Sequence, residues 1–151
     1  MPPVQQPHTL LYLLKRAYLA SRALADDSLT AHGLSIAQYA ALRRLEDQPG
    51  LSGAELARRC SVTAPTMNEL LASLEGDGLI ERAADPQGGR SILARLTPSG
   101  RQAVTNGRAV VDHLEDLLLA PLDAADRGAL LDALETIAEG SESRRLPVGV
   151  A

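Results

Sequence analysis

A proline that fits only the first turn of a helix fixes the middle of this chain. Pro65 has no amide proton, and in a helix interior its ring clashes with the preceding turn, so the helix that holds it must begin within a residue or two upstream. Thr63 supplies that start, because its hydroxyl can accept from first-turn amides. Shortly before it, Ser52-Gly53-Ala54-Glu55 has the Ser-x-x-Glu spacing of a capping box, and Leu56, Ala57 and Cys60 continue it as a short apolar helix face. The chain must therefore leave one helix and enter another around Ser61-Val62. Beyond Pro65, Met67, Leu70, Leu71 and Leu74 fall at i, i+3, i+4 and i+7, which gives the second helix one apolar face. Its other face carries Thr63, Ala64, Pro65, Asn68, Glu69, Ala72 and Ser73, small or hydrogen-bonding side chains that let a helix enter a groove closely.

Two strand-like segments follow, Leu79 to Ala84 and Ile92 to Leu96, joined by the turn-rich Asp85-Pro86-Gln87-Gly88-Gly89-Arg90. Helix, turn, helix, hairpin is the order of a winged helix-turn-helix, expected over residues 35–97. Upstream, Thr9 caps a helix with Leu10, Leu13, Leu14, Ala17 and Leu24 at helical spacing, ending near His32-Gly33. Ser35 caps the next, from Ile36 to about Asp47, with Ile36, Tyr39, Ala40 and Leu42 inward and Pro49-Gly50 closing it. Downstream, Thr97 caps and Pro98 opens a helix in which Val104, Gly107, Val111, Leu114 and Leu118 recur by threes and fours. After Pro121 and a cap at Asp123, Leu130, Leu131, Leu134, Ile137 and Ala138 form a second stripe. These stripes hold more apolar surface than a small winged lobe can cover. Residues 9–33 and 98–140 are accordingly expected to be dimerisation helices that pair with each other and with a second copy, and residues 141–151 a flexible tail. The fold class expected is mainly α with a small β-hairpin wing, in a single domain over residues 1–151.

Composition agrees with helices. The chain has no Phe or Trp and three Tyr (Tyr12, Tyr18 and Tyr39), so Leu, Ala and Val must fill the core, and a leucine and alanine core points to helices rather than sheets. The start lacks the basic region of an export signal, and no run approaches the roughly 20 apolar residues that span a bilayer, so the protein is expected in the cytoplasm. Cys60 is the one cysteine, which rules out an internal disulfide. His8, His32 and His113 share no ligand spacing, so no metal and no cofactor are expected. Catalysis has no footing: the sequence contains no nucleophile elbow, phosphate-cradling loop or dinucleotide fingerprint, and Gly50-Leu51-Ser52-Gly53 is accounted for as a helix start.

The order of elements resembles the MarR family of bacterial transcriptional regulators. So do Glu55-Leu56-Ala57, the Val62-Thr63 turn, Thr66-Met67, Leu74-Glu75, Gly78-Leu79-Ile80-Glu81-Arg82, Asp85-Pro86, Arg90 and Leu96-Thr97-Pro98-Ser99-Gly100. The resemblance runs from the first helix to the last. It implies a sequence-specific DNA-binding regulator, a homodimeric repressor on a pseudo-palindromic operator, released by a small-molecule effector bound between the dimer helices and the lobe. By the same resemblance, Thr63, Ala64, Pro65, Thr66, Asn68 and Glu69 form the leading end of a recognition helix in the major groove of double-stranded DNA. Asn68 has the side chain for bidentate readout of an adenine edge; Glu69, where the family often places a basic residue, either accepts from a cytosine amine or repels phosphate. Ser52 is expected against a phosphate and Arg90, at the wing tip, in or beside the minor groove. The effector pocket implied is walled by Tyr12, Arg16, Tyr39 and Arg43, for a phenolic or lipophilic acid.

Two departures bear on affinity. The family's wing reads Asp, Pro, any residue, Asp, Arg, Arg, whereas this one has glycines at positions 88 and 89, one charged contact fewer per wing. Residues 36–101 carry eight basic and eight acidic side chains, and residues 102–151 four basic and nine acidic, so the lobe is neutral and the C-terminal part acidic. Nonspecific attraction to phosphate should then be weak. A neutral lobe also suits an alternative, a winged-helix dimer serving as a protein-interaction module with little DNA affinity.

Overall fold

A computed structural model describes residues 9–143. In order along the chain they form α1 (Leu10–Thr30), α2 (Ile36–Asp47), β1 (Leu51–Ser52), α3 (Gly53–Arg59), α4 (Ala64–Gly76), β2 (Ile80–Ala84), β3 (Ile92–Leu96), α5 (Pro98–Leu119) and α6 (Ala124–Ser143). The chain divides into two compact units, the first ending at Leu114 and the second beginning at Glu115, within α5.

Each expected cap is present. Thr9 accepts from the amide of Tyr12 and Thr63 from that of Thr66, while Ser35 and Ser52 both form complete capping boxes, with Gln38 and Glu55. Asp126 N donates to the Asp123 carboxylate at 2.9 Å, starting α6. Three of the helices, α1, α3 and α4, share one closing geometry, in which an amide reaches back five residues around a left-handed residue. Leu34 N meets Leu29 O at 3.1 Å around Gly33, and Leu79 N meets Leu74 O at 2.9 Å around Gly78. The third closure, Val62 N to Ala57 O at 3.0 Å, turns on Ser61 at φ 54, the one non-glycine residue with positive φ among those described. It is this closure that makes the helix-turn-helix corner.

In the first unit the core draws Leu29 from α1, Leu42 and Leu45 from α2, Leu56 from α3, Met67 and Leu74 from α4, Ile80 from β2, Leu96 from β3 and Val104 from α5. Tyr39 is its one aromatic side chain, and no polar side chain is buried among the described residues. Ala41 is buried in α2, and Ala40, expected inward, only half so. The sheet has three strands rather than two, in the order β1-β3-β2, with Ser52 opposite Leu93 and Glu81 opposite Arg95. A two-residue strand that doubles as a helix cap has no alternation to reveal it.

Where α5 begins, Thr97 ties the sheet to the α4–β2 corner. Its amide donates to Leu79 O at 3.1 Å, its hydroxyl donates to Gly78 O at 2.7 Å, and the same oxygen accepts from Gly100 N at 3.0 Å. The apolar residues of α1 that lie upstream of Leu29 are largely uncovered: Leu10 is 55% exposed, Leu13 44% and Leu24 47%. In the second unit Leu130, Leu131, Leu134 and Ile137 of α6 are exposed as well. The helix expected to stop near residue 140 continues to Ser143, which corrects the start of the expected tail; residues 144–151 lie outside those described. No described helix is long and apolar enough to cross a membrane.

Candidate nucleic-acid interface

The seven-residue α3 and the thirteen-residue α4 pack across the Ser61 corner. Met67, Leu71 and Leu74 of α4 are buried, and Leu70 is half-buried. The opposite side of the helix is open: Thr63, Ala64, Pro65, Thr66, Asn68, Glu69, Ala72 and Ser73 are all exposed. The hydroxyls of Thr63 and Thr66 lie 2.9 Å apart, so each holds the other while keeping hydrogen-bonding capacity outward. Asn68 makes no hydrogen bond among the described residues, and its Oδ1 leans towards the start of α3, where a Cβ on Gly53 would come within 3.4 Å.

Ser52 is more occupied than the sequence suggests. Its amide donates to Glu55 Oε2 at 2.9 Å and its hydroxyl to the same oxygen at 2.6 Å. Those two bonds, the hydroxyl's first, hold the Glu55 carboxyl below the usual carboxylate range. A phosphate contact by Ser52 therefore requires the capping box to open. Cys60, half-buried beside the corner, has its thiol pushed up by burial against the pull of Arg44, which works against thiolate formation. Among the described residues no cluster of His, Cys, Asp or Glu has a metal-binding arrangement.

Between β2 and β3 the wing turns on Asp85, whose carboxylate accepts from Gln87 N at 2.9 Å and whose carbonyl accepts from Gly88 N at 3.1 Å. Gly88 and Gly89 stand at φ 87 and 130, conformations disfavoured for the acidic and basic residues of the family pattern. Arg90 at the tip is exposed and carries no ion pair or hydrogen bond among the described residues. Arg82, by contrast, is used up inside the lobe: its Nε and Nη2 bond Glu75 at 2.9 and 2.5 Å, tying β2 to α4. That partner lies seven residues back in the chain, on another element.

The four residues expected to wall an effector pocket fall into two pairs. Arg16 lies 5.6 Å from the Tyr12 ring centroid, one turn along α1. Tyr39 and Arg43 sit one turn apart on α2. Burial raises the Tyr39 hydroxyl's pKa, with Arg43 and Arg108 pulling it down. Arg43 bonds Glu46 at 2.6 Å, and Arg108 of α5 bonds the same oxygen, so one carboxylate joins α2 to α5. The spacing of Arg43 and Glu46 is visible in the sequence, but Arg108, 62 residues from Glu46, carries no sequence signal. Gly107 lets the two helices close: a Cβ there would lie 2.5 Å from the Tyr39 ring.

The family model described as the MarR family matches residues 32–91. The HTH-type transcriptional repressor Rv2887 of Mycobacterium tuberculosis is 38% identical over 126 residues, covering 83% of this chain and 91% of that protein. The crystal structure of Rv2887 in complex with DNA matches with a TM-score of 0.74 at 36% identity, over 85% of this chain and 97% of the other. The complex of Rv2887 with salicylic acid matches with a TM-score of 0.72 at 38% identity, over 85% and 96%. With identity at that level held across nearly the whole of a curated relative, and the helix-turn-helix inside the matched region, this chain belongs to the MarR family of transcriptional regulators.

Proposed function

We propose that the protein is a sequence-specific DNA-binding transcriptional regulator, a homodimeric repressor that acts in the cytoplasm on a pseudo-palindromic operator and is released from it by a small-molecule effector. The observation that carries DNA binding is the leading end of α4. Six consecutive-turn positions, Thr63 to Thr66 with Asn68 and Glu69, are exposed, capped and free of bulky side chains, on a helix whose other face is anchored in the core. A helix presented in this way fits the major groove with its N-terminal residues at base edges. Asn68, with no internal hydrogen bond to give up, reads an adenine edge, and Arg90 places a free guanidinium at the flanking backbone or minor groove. Ser52 serves this interface chiefly as the cap that starts α3. The relative crystallised with DNA supports this assignment.

Dimerisation answers the uncovered leucines of α1 and α6, since each apolar square ångström withdrawn from water is worth about 25 cal/mol. Two copies bring two recognition helices to half-sites about one helical turn apart. The relative's complex with salicylic acid supports a phenolic acid as effector, received between Tyr12 and Arg16 of α1 and Tyr39 and Arg43 of α2. Its binding would alter the spacing of the two recognition helices and so cost half-site register.

DNase I footprinting of the region upstream of the protein's own gene tests this reading. Two protected half-sites one turn apart, lost on adding salicylate, are expected. A folded dimer that protects nothing would instead leave the winged lobes as a protein-interaction surface.

A further inference from the structure

The hairpin that carries the wing is seated in the core at its inner end. Ile80 and Leu96, opposite each other at the base of β2 and β3, are buried, and so is Ala94 two residues along β3. Farther out the ladder continues through Ala83–Leu93 and Ala84–Ile92, but Ala83, Ala84 and Ile92 are exposed. Residues 83–92 make no hydrogen bond or ion pair outside the hairpin among those described. On the other side of β3, β1 reaches as far as Leu93, which stands opposite Ser52. Those ladder bonds lie in the plane of the sheet and leave its bending towards or away from α4 soft.

Among the described residues one side-chain tie crosses that plane. Arg82 follows Ile80 by two residues, which puts it on the same face of β2, and its Nε and Nη2 reach Glu75 Oε2 at 2.9 and 2.5 Å. Both ends are fixed by their neighbours: Glu75 adjoins Leu74, which is fully buried, and Arg82 is paired with the buried Ala94. The tie therefore joins the last turn of the helix whose leading end presents Thr63 to Glu69 to the point where the hairpin leaves the core. A strand rises about 3.3 Å per residue, so Asp85, where the wing turn starts, stands about 17 Å from Ile80, and a tilt of about 10° at the base carries it about 3 Å, the length of a hydrogen bond.

We propose that Glu75 and Arg82 are positioning residues for DNA binding: their ion pair sets the angle between α4 and the wing, and so decides whether Arg90 meets the DNA while α4 lies in the major groove. The inference rests on the DNA-binding reading above and adds a specific dependence to it, because Arg90 bonds neither residue. At 31% and 39% exposure the pair contributes little to overall stability, so variants that lack it should keep the fold.

A double-mutant cycle on the full-length protein tests the proposal, read by anisotropy of a labelled duplex from upstream of its own gene over a salt series, with 15N relaxation of the DNA-free protein alongside. In the wild-type background Arg90→Ala should flatten the salt slope by about one unit. In Glu75→Ala or Arg82→Ala it should change the slope by less than about half a unit, because the wing no longer delivers Arg90 to the DNA. Arg82→Ala is the counterpart that leaves no freed cation to bind phosphate in its own right. Without DNA, the amides of residues 83–92 should gain mobility in Glu75→Ala while those of Ile80 and Leu96 stay as they were. A merely structural pair would leave the Arg90 effect undiminished in both variants. That result, an Arg90→Ala effect absent from the wild type, or unchanged relaxation of the wing amides would overturn the proposal while DNA binding itself stands. A wild type that binds no duplex would overturn both readings.

Discussion

Replacing Gly100 with alanine adds a single methyl group at the joint where the winged lobe meets α5. Its Cβ would stand 1.9 Å from the carbonyl oxygen of Leu79 and 3.0 Å from the carbonyl carbon. Carbon and oxygen approach no closer than about 3.3 Å, so helix and corner must part by about 1 Å or more. The obstacle is backbone, not a side chain that can swing away. The same carbonyl accepts from Thr97 N, and Thr97 Oγ1 donates to the neighbouring Gly78 O. Losing two such bonds costs about 1 kcal/mol each, and overpacking adds about 1 to 3 kcal/mol. Against this, alanine in a helix gains at most about 1 kcal/mol over glycine. The net expectation is a loss of about 2 to 4 kcal/mol, read from urea unfolding at one fixed protein concentration because a dimer's stability depends on it. Gly128→Ala is the control: nothing lies within 4 Å of a Cβ there, so α6 should lose no stability. Gly100→Ala unfolding at the wild-type midpoint would refute the argument and with it this account of the Leu96-Thr97-Pro98-Ser99-Gly100 run.

Ser61→Gly should raise the urea midpoint, because relief of left-handed strain of about 1 kcal/mol exceeds the added entropy of the unfolded chain; a lowered midpoint would mean the serine side chain contributes something to the corner. Hydrogen bonds from Arg82 hold the Glu75 carboxyl below its usual range, so its contribution is present above the unfolded pKa and lost as pH falls through the folded one. The stability difference between wild type and Glu75→Gln should therefore be full near neutrality and fade below about pH 4; a difference that ignores pH would count against the pair. Arg90→Ala should weaken operator binding across sequences and flatten the salt slope by about one unit, and an unchanged slope would remove the wing tip from the contacts. Asn68→Ala should cost about 1 to 3 kcal/mol at a single base position, and intact selectivity at every position would show that Asn68 reads nothing.

The helices were legible in the sequence because their ends carry local chemistry: Thr9, Ser35, Ser52, Thr63 and Thr97 each begin the helix that follows. The recognition face was equally plain, since Met67, Leu71 and Leu74 against Asn68 and Glu69 is a matter of spacing alone. What escaped was long-range. Gly107 reads as one more member of a heptad stripe until Tyr39 is found against it, and Gly100 as a turn residue until Leu79 O appears beside it. Arg82 meets Glu75 on a different element, a pairing without local spacing to reveal it, and nothing in a Ser-x-x-Glu pattern says that the glutamate takes the hydroxyl proton of Ser52 as well as its amide. The wing's glycines were legible as a departure, and the positive φ values of Gly88 and Gly89 show that the departure reshapes the loop as well as removing charge.

These details matter for affinity, since α4 contributes no basic side chain and the lobe is neutral overall. Binding must then rest on fit in the groove and on a few free arginines more than on bulk attraction, which predicts a modest number of released counterions and a high ratio of specific to nonspecific affinity.

Fluorescence anisotropy of the purified dimer against a labelled duplex from upstream of its own gene, with a random duplex alongside over a series of salt concentrations, decides whether the winged lobes read sequence. Tight, salt-dependent binding to the upstream duplex is expected, with weak binding to the random one even at low salt. Equal affinity for both duplexes, or none for either with the dimer intact, would contradict it.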